Sequence, residues 1–417
     1  MREIIDSGVE WLGDIPETWD LVQLGSLFSE HKHKNTGMQS NNLLSLSYGN
    51  IIQKDINNSD GLLPESFEGY NVIDDGDIVL RLTDLQNDQR SLRVGLSHEK
   101  GIVTSAYVTL RRRNPGLKSQ FFYYLIHSYD VRKGFYGMGA GVRQGLNYSG
   151  VKKIMLTLPP VEEQATIAAF LEDKLAKVDT LIANVQAQIE KLKAYKQSVI
   201  TEVVTKGLNP TVPMKHSGVE WVGNIPAHWD VVKTGRLFKE NNRKPFGNDT
   251  PLSLSQVDGL IATDDMKESS LKTSTYENWK RVELGDLVLN RFKAHLGVLF
   301  AATLTGIVSF HYGVYEARRI LVPKFYEYLY HADQYRAILG NASNGMVVGL
   351  QNLSNLNFYS TYSLYPPYEE QEEIVAYLDE KCSQIDRLIS IKQAKIEKLE
   401  QYKRSLIYEY VTGKKEV

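Results

Sequence analysis

With 417 residues, 42% hydrophobic and 24% charged, the chain is long and apolar enough for two domains with full cores, which excludes a disordered polymer. No run approaches the roughly 18 apolar residues of a membrane span, and Met1 to Asp6 has no signal-peptide stretch, so a cytoplasmic protein is expected. The single cysteine, Cys382, excludes an internal disulfide and argues against a thiolate metal site, and a net charge of -2 is not that of an evenly basic nucleic-acid binder.

That small net charge hides a segregation. Asp55 to Asp88 holds nine acidic residues and one basic, Arg81, whereas Arg90 to Lys153 holds twelve basic and two acidic, Glu99 and Asp130. A basic face on one domain is therefore expected. Leu287 to Tyr365 is a weaker version, with six basic and three acidic residues.

In chain order, SGVEW at Ser7 to Trp11 opens a globular part. His31 and His33 come next, but no third ligand is evident and their counterpart ENNRKP has no histidine, so no metal is expected. GDIVLRL from Gly76 and GIVTSAYVTLRR from Gly101 read as strands, and SQFFYYLIHSYDVRKGFY from Ser119 reads as an amphipathic helix. GMGAGVRQG, Gly137 to Gly145, lacks the GxGxxG spacing and comes after a helix, so it reads as a polar loop rather than a nucleotide cradle.

The proline pair Pro159-Pro160 before Glu162-Glu163-Gln164 marks a helix start, with carboxylates at the positive end of the dipole. From there Leu171, Leu175, Val178, Ile182, Val185, Ile189, Leu192 and Val199 alternate steps of mostly four and three, a coiled-coil seam. Such a helix of some 46 residues would be about 70 Å long.

After the linker GLNPTVPMKH everything returns. SGVEW recurs at Ser217 to Trp221, Gly285-Asp286 answers Gly76-Asp77, and GIVSFHYGVYEARR answers GIVTSAYVTLRR. KFYEYLYHADQYRAIL reads as the matching helix. The offset drifts from 210 to 205 through the globular parts, then holds at 207 from Pro366-Pro367 to the end of the second helix. Its seam is Leu378, Cys382, Ile385, Ile389, Ile396, Leu399 and Leu406, with Lys392, Lys196 and Lys403 at polar seam positions. Helices that kept their length while loops did not are expected to pair, antiparallel and with pseudo-two-fold symmetry, because an added residue rotates all later side chains by about 100°. The class is α+β. The boundaries read 1-158 and 217-365 for the globular parts, 159-207 and 366-414 for the helices, and 208-216 for the linker.

No GxxxxGK[ST], HExxH or GxSxG occurs, and the chain is expected to be no enzyme. Tyr365-Pro366-Pro367-Tyr368 lacks the amide or carboxylate of an amino-methyltransferase motif, and its counterpart LPPV reads as another helix start. The matched Trp11, Trp19, Trp221 and Trp229 are expected to pack where each domain meets the helix ends. What remains are polar loops suited to base edges, since Arg pairs with guanine and Asn or Gln with adenine. The first copy offers Arg81, Gln86, Asn87, Gln89, Arg90, Arg143, Gln144 and Asn147. The second offers Asn290, Arg291, Lys293, His295, Asn341, Ser343, Asn344, Gln351 and Asn352. From the Gly-Asp turn to the GIV strand is 25 residues in one copy and 21 in the other, as two different readers would require.

LPPVEEQATIAAFLEDKLAKVDTLI and YPPYEEQEEIVAYLDEKCSQIDRLI, each after a variable domain opened by SGVEW, resemble the specificity subunits of Type I restriction-modification systems over essentially the whole length. The resemblance implies two target-recognition domains that each read half of a bipartite site in double-stranded DNA. It also implies helical regions that hold them apart and dock methyltransferase subunits. S-adenosylmethionine would then sit on those partners, and ATP with Mg2+ on a separate restriction and translocase subunit, leaving this chain without a cofactor. Tyr365 and Tyr368 stand where many members have Leu and a small apolar residue, and the variable domains match too little to carry over a base contact. A methyltransferase or nuclease with fused recognition domains would need a cofactor motif, and a coiled-coil scaffold without DNA would leave the basic stretch unexplained.

Overall fold

The structure is a computed structural model that describes residues 2-57, 64, 66-85, 88, 91-138, 145-219, 222-256, 258-266, 276-343 and 352-417. It is α+β and forms two compact units, Met1–Val185 with Ala394–Val417, and Gln186–Gln393. Each unit therefore combines one globular part with half of each long helix, a division that cuts across the chain-order boundaries read from the sequence.

In the first unit a four-stranded antiparallel sheet runs in the order Phe28–Glu30, Val108–Arg112, Ile78–Leu80, Val94–Leu96. The central strand IVL is buried on both faces, by the helix Ser119–Val131 with Phe121, Phe122 and Leu125 in the main core and by a smaller cluster around Val79. The second unit repeats the order with Phe238–Glu240, Tyr312–Ala317, Leu287–Asn290 and Leu299–Ala301. Gly76 and Gly285 enter the central strands at φ +84° and +85°, a left-handed turn that favours glycine. The next residue, an aspartate in both, closes the turn, Asp77 accepting from the Asp74 N–H at 2.9 Å and Asp286 from the Glu283 N–H at 2.8 Å.

Two expected elements are interrupted. GIVTSAYVTLRR is two strands, Gly101–Val103 and Val108–Arg112, because the Tyr107 N–H donates to Thr104 O at 3.1 Å and turns the chain. KFYEYLYHADQYRAIL is two helices, Pro323–His331 and Asp333–Asn341, broken at Ala332, whose ψ of 142° is extended. The break lets Tyr335 and Leu339 turn into the core of the second unit.

The long helices are Val161–Lys206 and Tyr368–Val411. In the first unit, Phe170 packs against Tyr410 with ring centroids 4.6 Å apart and Lys403 pairs with Asp179, so the two segments run antiparallel. In the second, Lys196 pairs with Asp386 at 2.6 Å and Lys392 donates to Gln188 at 2.6 Å, again antiparallel. All three seam lysines thus carry a partner on the facing helix, the physical reason the seam tolerates them. Leu171 through Ile189 are buried as expected, with Leu378, Cys382, Ile385 and Leu406, whereas Leu192, Val199, Ile389, Ile396 and Leu399 are half-buried.

The proline-Glu-Glu-Gln motif is a clasp between helix start and globular part. Glu163 accepts from the Trp19 indole at 2.8 Å and from Arg2; Glu370 accepts from the Trp229 indole at 2.9 Å. Gln164, fully buried, accepts from the Lys118 N–H at 3.1 Å and donates to Pro159 O at 2.8 Å. Gln371 does the same with the Val322 N–H and Pro366 O, each at 2.8 Å. A buried amide that bonds with both ends satisfies two backbone groups at once, and that accounts for this residue type at this spacing. Trp19 and Trp229 pack as expected and Trp11 lies edge-on to Tyr129 at 5.0 Å; Trp221 lies outside the described residues.

A matched histidine in each unit, His127 and His331, lines a cleft against the helix pair. Burial pushes both rings down to about 4, helped at His127 by Lys403 and Arg404. A lowered pKa means that the fold holds the neutral ring, so its stabilisation is complete above the unfolded value of about 6.5 and is lost as pH falls toward 4. Allowing for solvent at the cleft mouth, each histidine is expected to take about 1 kcal/mol from stability by pH 5. The melting temperature should therefore drop less between pH 7 and 5 in the His127→Gln, His331→Gln double variant than in the parent; equal slopes would refute the assignment.

Candidate nucleic-acid interface

In both units the two loop groups expected to read bases are drawn together by one equivalent hydrogen bond. The Leu146 N–H donates to Leu82 O at 2.9 Å, which seats the segment bearing Asn147 beside Arg81. The Leu353 N–H donates to Arg291 O at 3.1 Å, which seats Asn352 beside Asn290 and Arg291. Each segment then starts a short helix, capped by Asn147, whose side chain accepts from the Gly150 N–H, or by Ser354, which accepts from the Asn357 N–H.

Several candidates are occupied by the fold. Asn147 spends its carbonyl on that cap, and Asn290 spends its own on the Phe292 and Lys293 N–H groups at 3.2 and 3.3 Å. Arg291 is held by Glu240 at 2.6 Å and Asn355 at 2.8 Å. Ser343 donates to Leu339 O within its own helix turn. Lys293, Asn341 and Asn352 are exposed, while Arg81 and His295 are half-buried. His295 touches Gly340, so the turn Arg291–Leu296 and the helix Asp333–Asn341 pack together. Gln86, Asn87, Gln89, Arg90, Arg143, Gln144, Asn344 and Gln351 lie outside the described residues.

The expected basic face is reduced by pairing within the unit. Arg111 grips Asp77 through Nε at 2.8 Å and reaches Asp74 at 2.7 Å, so two residues of the acidic stretch cancel one of the basic stretch. The second unit closes the same aspartate from another element: Arg243 donates to Asp286 at 2.6 Å and to Glu316 at 3.0 Å. Glu316 stands on the strand position that Arg111 occupies in the first unit, so the arginine comes from a different element and the turn survives. Lys100, Arg112, Arg113, Lys118, Lys152 and Lys153 remain exposed on the first unit.

Two organising residues escaped the sequence reading. Arg93 is fully buried, and its guanidinium donates to Thr83 O at 2.9 Å, Asp84 O at 3.3 Å and Asp88 O, while its N–H donates to Asp130 at 2.6 Å. It therefore ties down the ends of the segment bearing Gln86 and Asn87. Burial pushes the Asp130 carboxyl up to about 6, against the pull of the Arg93 N–H. Glu240 is the counterpart organiser in the second unit. Burial would raise its carboxyl, but Lys280, Arg291 and Asn355 together hold it below the usual range. His31 and His33 stack at 6.2 Å, His33 bonding with Gln39, and among the described residues no three His, Cys, Asp or Glu side chains group as metal ligands.

Residues 16–191 match the family described as the Type I restriction modification DNA specificity domain. The Type I restriction enzyme MjaVIII specificity subunit of Methanocaldococcus jannaschii is 27% identical over 56% of this chain, a match that spans about half, 52%, of that relative. The putative type I restriction enzyme MjaX specificity subunit of the same organism is 23% identical over 97% of this chain and 95% of its own length. A chain solved in a study of complex assembly and conformational transition of the type I R-M system shares the fold, with a TM-score of 0.67 and 16% identity over 95% of this chain and 98% of that one. No helix among the described residues is long and apolar enough to cross a membrane.

Proposed function

We propose that this chain, whose residues 16–191 match the Type I restriction modification DNA specificity domain and which is similar to curated specificity subunits, is the DNA-recognition subunit of a Type I restriction-modification complex, itself without catalysis, and that it works in the cytoplasm. Each globular part reads one half of an asymmetric bipartite site in double-stranded DNA, and the long helices carry the methyltransferase subunits. S-adenosylmethionine belongs to those partners, and ATP with Mg2+ to a restriction and translocase subunit.

The observation that carries the reading is the contrast inside each repeat. The clasp of Glu163, Gln164 and Trp19 is matched by Glu370, Gln371 and Trp229, and the loop-joining bond of Leu146 by that of Leu353. What those matched parts hold up differs in sequence, length and charge wiring. A duplicated frame with unlike tips is what reading two unlike half-sites requires.

The chain alone is expected to transfer no methyl group and cut no DNA, whereas the chain assembled with the modification subunit of its host should methylate one bipartite sequence. Methyl transfer or cleavage by the chain alone would favour an enzyme with fused recognition domains. An assembly with no sequence preference would favour a scaffold.

A further inference from the structure

At one place the two repeats keep the same turn and change only its tip. In the first, the strands Gly101–Val103 and Val108–Arg112 are joined through Thr104 to Tyr107, with Ser105 and Ala106 exposed. In the second, Gly306–Val308 and Tyr312–Ala317 are joined by the same backbone bond, the Tyr312 N–H donating to Ser309 O at 2.9 Å, but the exposed pair is Phe310-His311. Phe310 is 52% exposed and its ring centroid lies 3.9 Å from that of His311. Phe292, 39% exposed, also stands against His311, at 5.4 Å. Three rings from two loops thus form one outward aromatic platform.

Its surroundings are cationic. Phe292 sits between Arg291 and the exposed Lys293, and Lys280 donates to Tyr312 O at 3.0 Å, at the base of the turn. Arg291 and Lys280 share the single carboxylate of Glu240, so this cluster retains positive charge. An apolar projection with Lys293 exposed beside it and a net positive cluster at its base fits a polyanion better than a protein core. A partner common to both repeats would select the same tip in each, yet here Ser105-Ala106 answers Phe310-His311. The feature that differs is suited to what the half-sites do not share. Because the rings are already packed on one another, they present an apolar edge, and the apolar group that an intact duplex projects into its major groove is the thymine 5-methyl.

We propose that Phe292, Phe310 and His311 form a specificity platform that contacts one or more thymine 5-methyl groups in the half-site read by the second unit. This rests on the function proposed above and names a chemical feature of that unit's target.

The test uses the chain assembled with its modification subunit and the bipartite site it selects. Deoxyuridine replaces thymine one position at a time, for the parent and for the Phe310→Ser and Phe292→Ala variants; the first installs the residue that the other repeat carries. Loss of one buried methyl contact should weaken parent binding roughly 3- to 5-fold at one or more second-half thymines. Phe310→Ser should show a similar loss on thymine DNA and should no longer distinguish thymine from deoxyuridine there, with the first half unaffected. A second half-site without thymine, a parent insensitive to every second-half substitution, or a variant with the parent's thymine preference overturns the proposal alone. An assembly that selects no bipartite site overturns the functional reading and this proposal with it.

Discussion

Four residues inserted into both long helices, after Ile189 and after Ile396, are expected to make the assembly prefer a spacer longer by one or two base pairs while both half-site sequences stay the same. Four helical residues add about 6 Å and rotate the rest of the helix by about 40°, while two base pairs add about 6.8 Å and roughly 70° of twist. The difference is small enough for DNA or linkers to absorb. Both insertions fall between the cross-helix pins, Lys403 with Asp179 in the first unit and Lys196 with Asp386 in the second. Each unit therefore keeps its own pin in register, and a four-residue stutter unwinds the seam locally without breaking it. Inserting into one helix alone should instead throw one of the two pins out of register with the other and lower stability. Selection from a randomised-spacer library checks the first outcome, and an unchanged spacer in a folded assembly would contradict it.

The second large effect belongs to Arg93. Replacement by Ala removes a fully buried guanidinium and leaves the carbonyls of Thr83, Asp84 and Asp88 without this donor, near the buried Asp130 carboxyl. Breaking such a buried charge network typically costs about 3 to 5 kcal/mol. Arg93→Lys should recover little, because an ammonium radiates its three N–H groups from one atom and cannot span the acceptors that the two ends of the planar guanidinium reach. The first unit should melt at lower temperature with the second unchanged, and preference at the first half-site should be lost with the second kept. Equal loss at both halves, or normal amide protection at Thr83 and Asp84, would show that Arg93 does not organise this loop.

The long helices were legible because a seam of alternating four and three with no proline has few other solutions, and because the second copy repeats it without a gap. Their starts were legible too, although the roles of Gln164 and Gln371 were not, since a buried amide looks like any polar residue until its partners arrive from Lys118 and Val322. Arg93 and Arg111 were read among a surface-like basic run because their partners, Asp130 and Asp77, are 37 and 34 residues away. Asn147, Asn290 and Arg291 have the chemistry of base readers, but the same chemistry caps turns and balances Glu240, and sequence alone does not separate those uses. The aromatic tip escaped because Phe310 lay inside an apparent strand, where alternation would have placed it in a core. His127 and His331 carried a signal that was available, the same histidine after a matched aromatic run in both copies.

The make-up of the first unit bears on how the protein is synthesised. Its core includes Leu406, Ile407 and Val411, Val411 O accepts from Thr157 at 3.0 Å, and Lys414 donates to Leu12 O at 2.8 Å. The first 185 residues therefore leave the ribosome with an apolar face whose cover, Ala394–Val417, is made only after the whole second unit. At 5 to 20 residues per second that cover arrives roughly 10 to 50 s later. The second unit, Gln186–Gln393, is contiguous and complete before then. The order of folding is thus the reverse of the order of translation, and the nascent amino-terminal half is the stage at which holdase chaperones have something to bind.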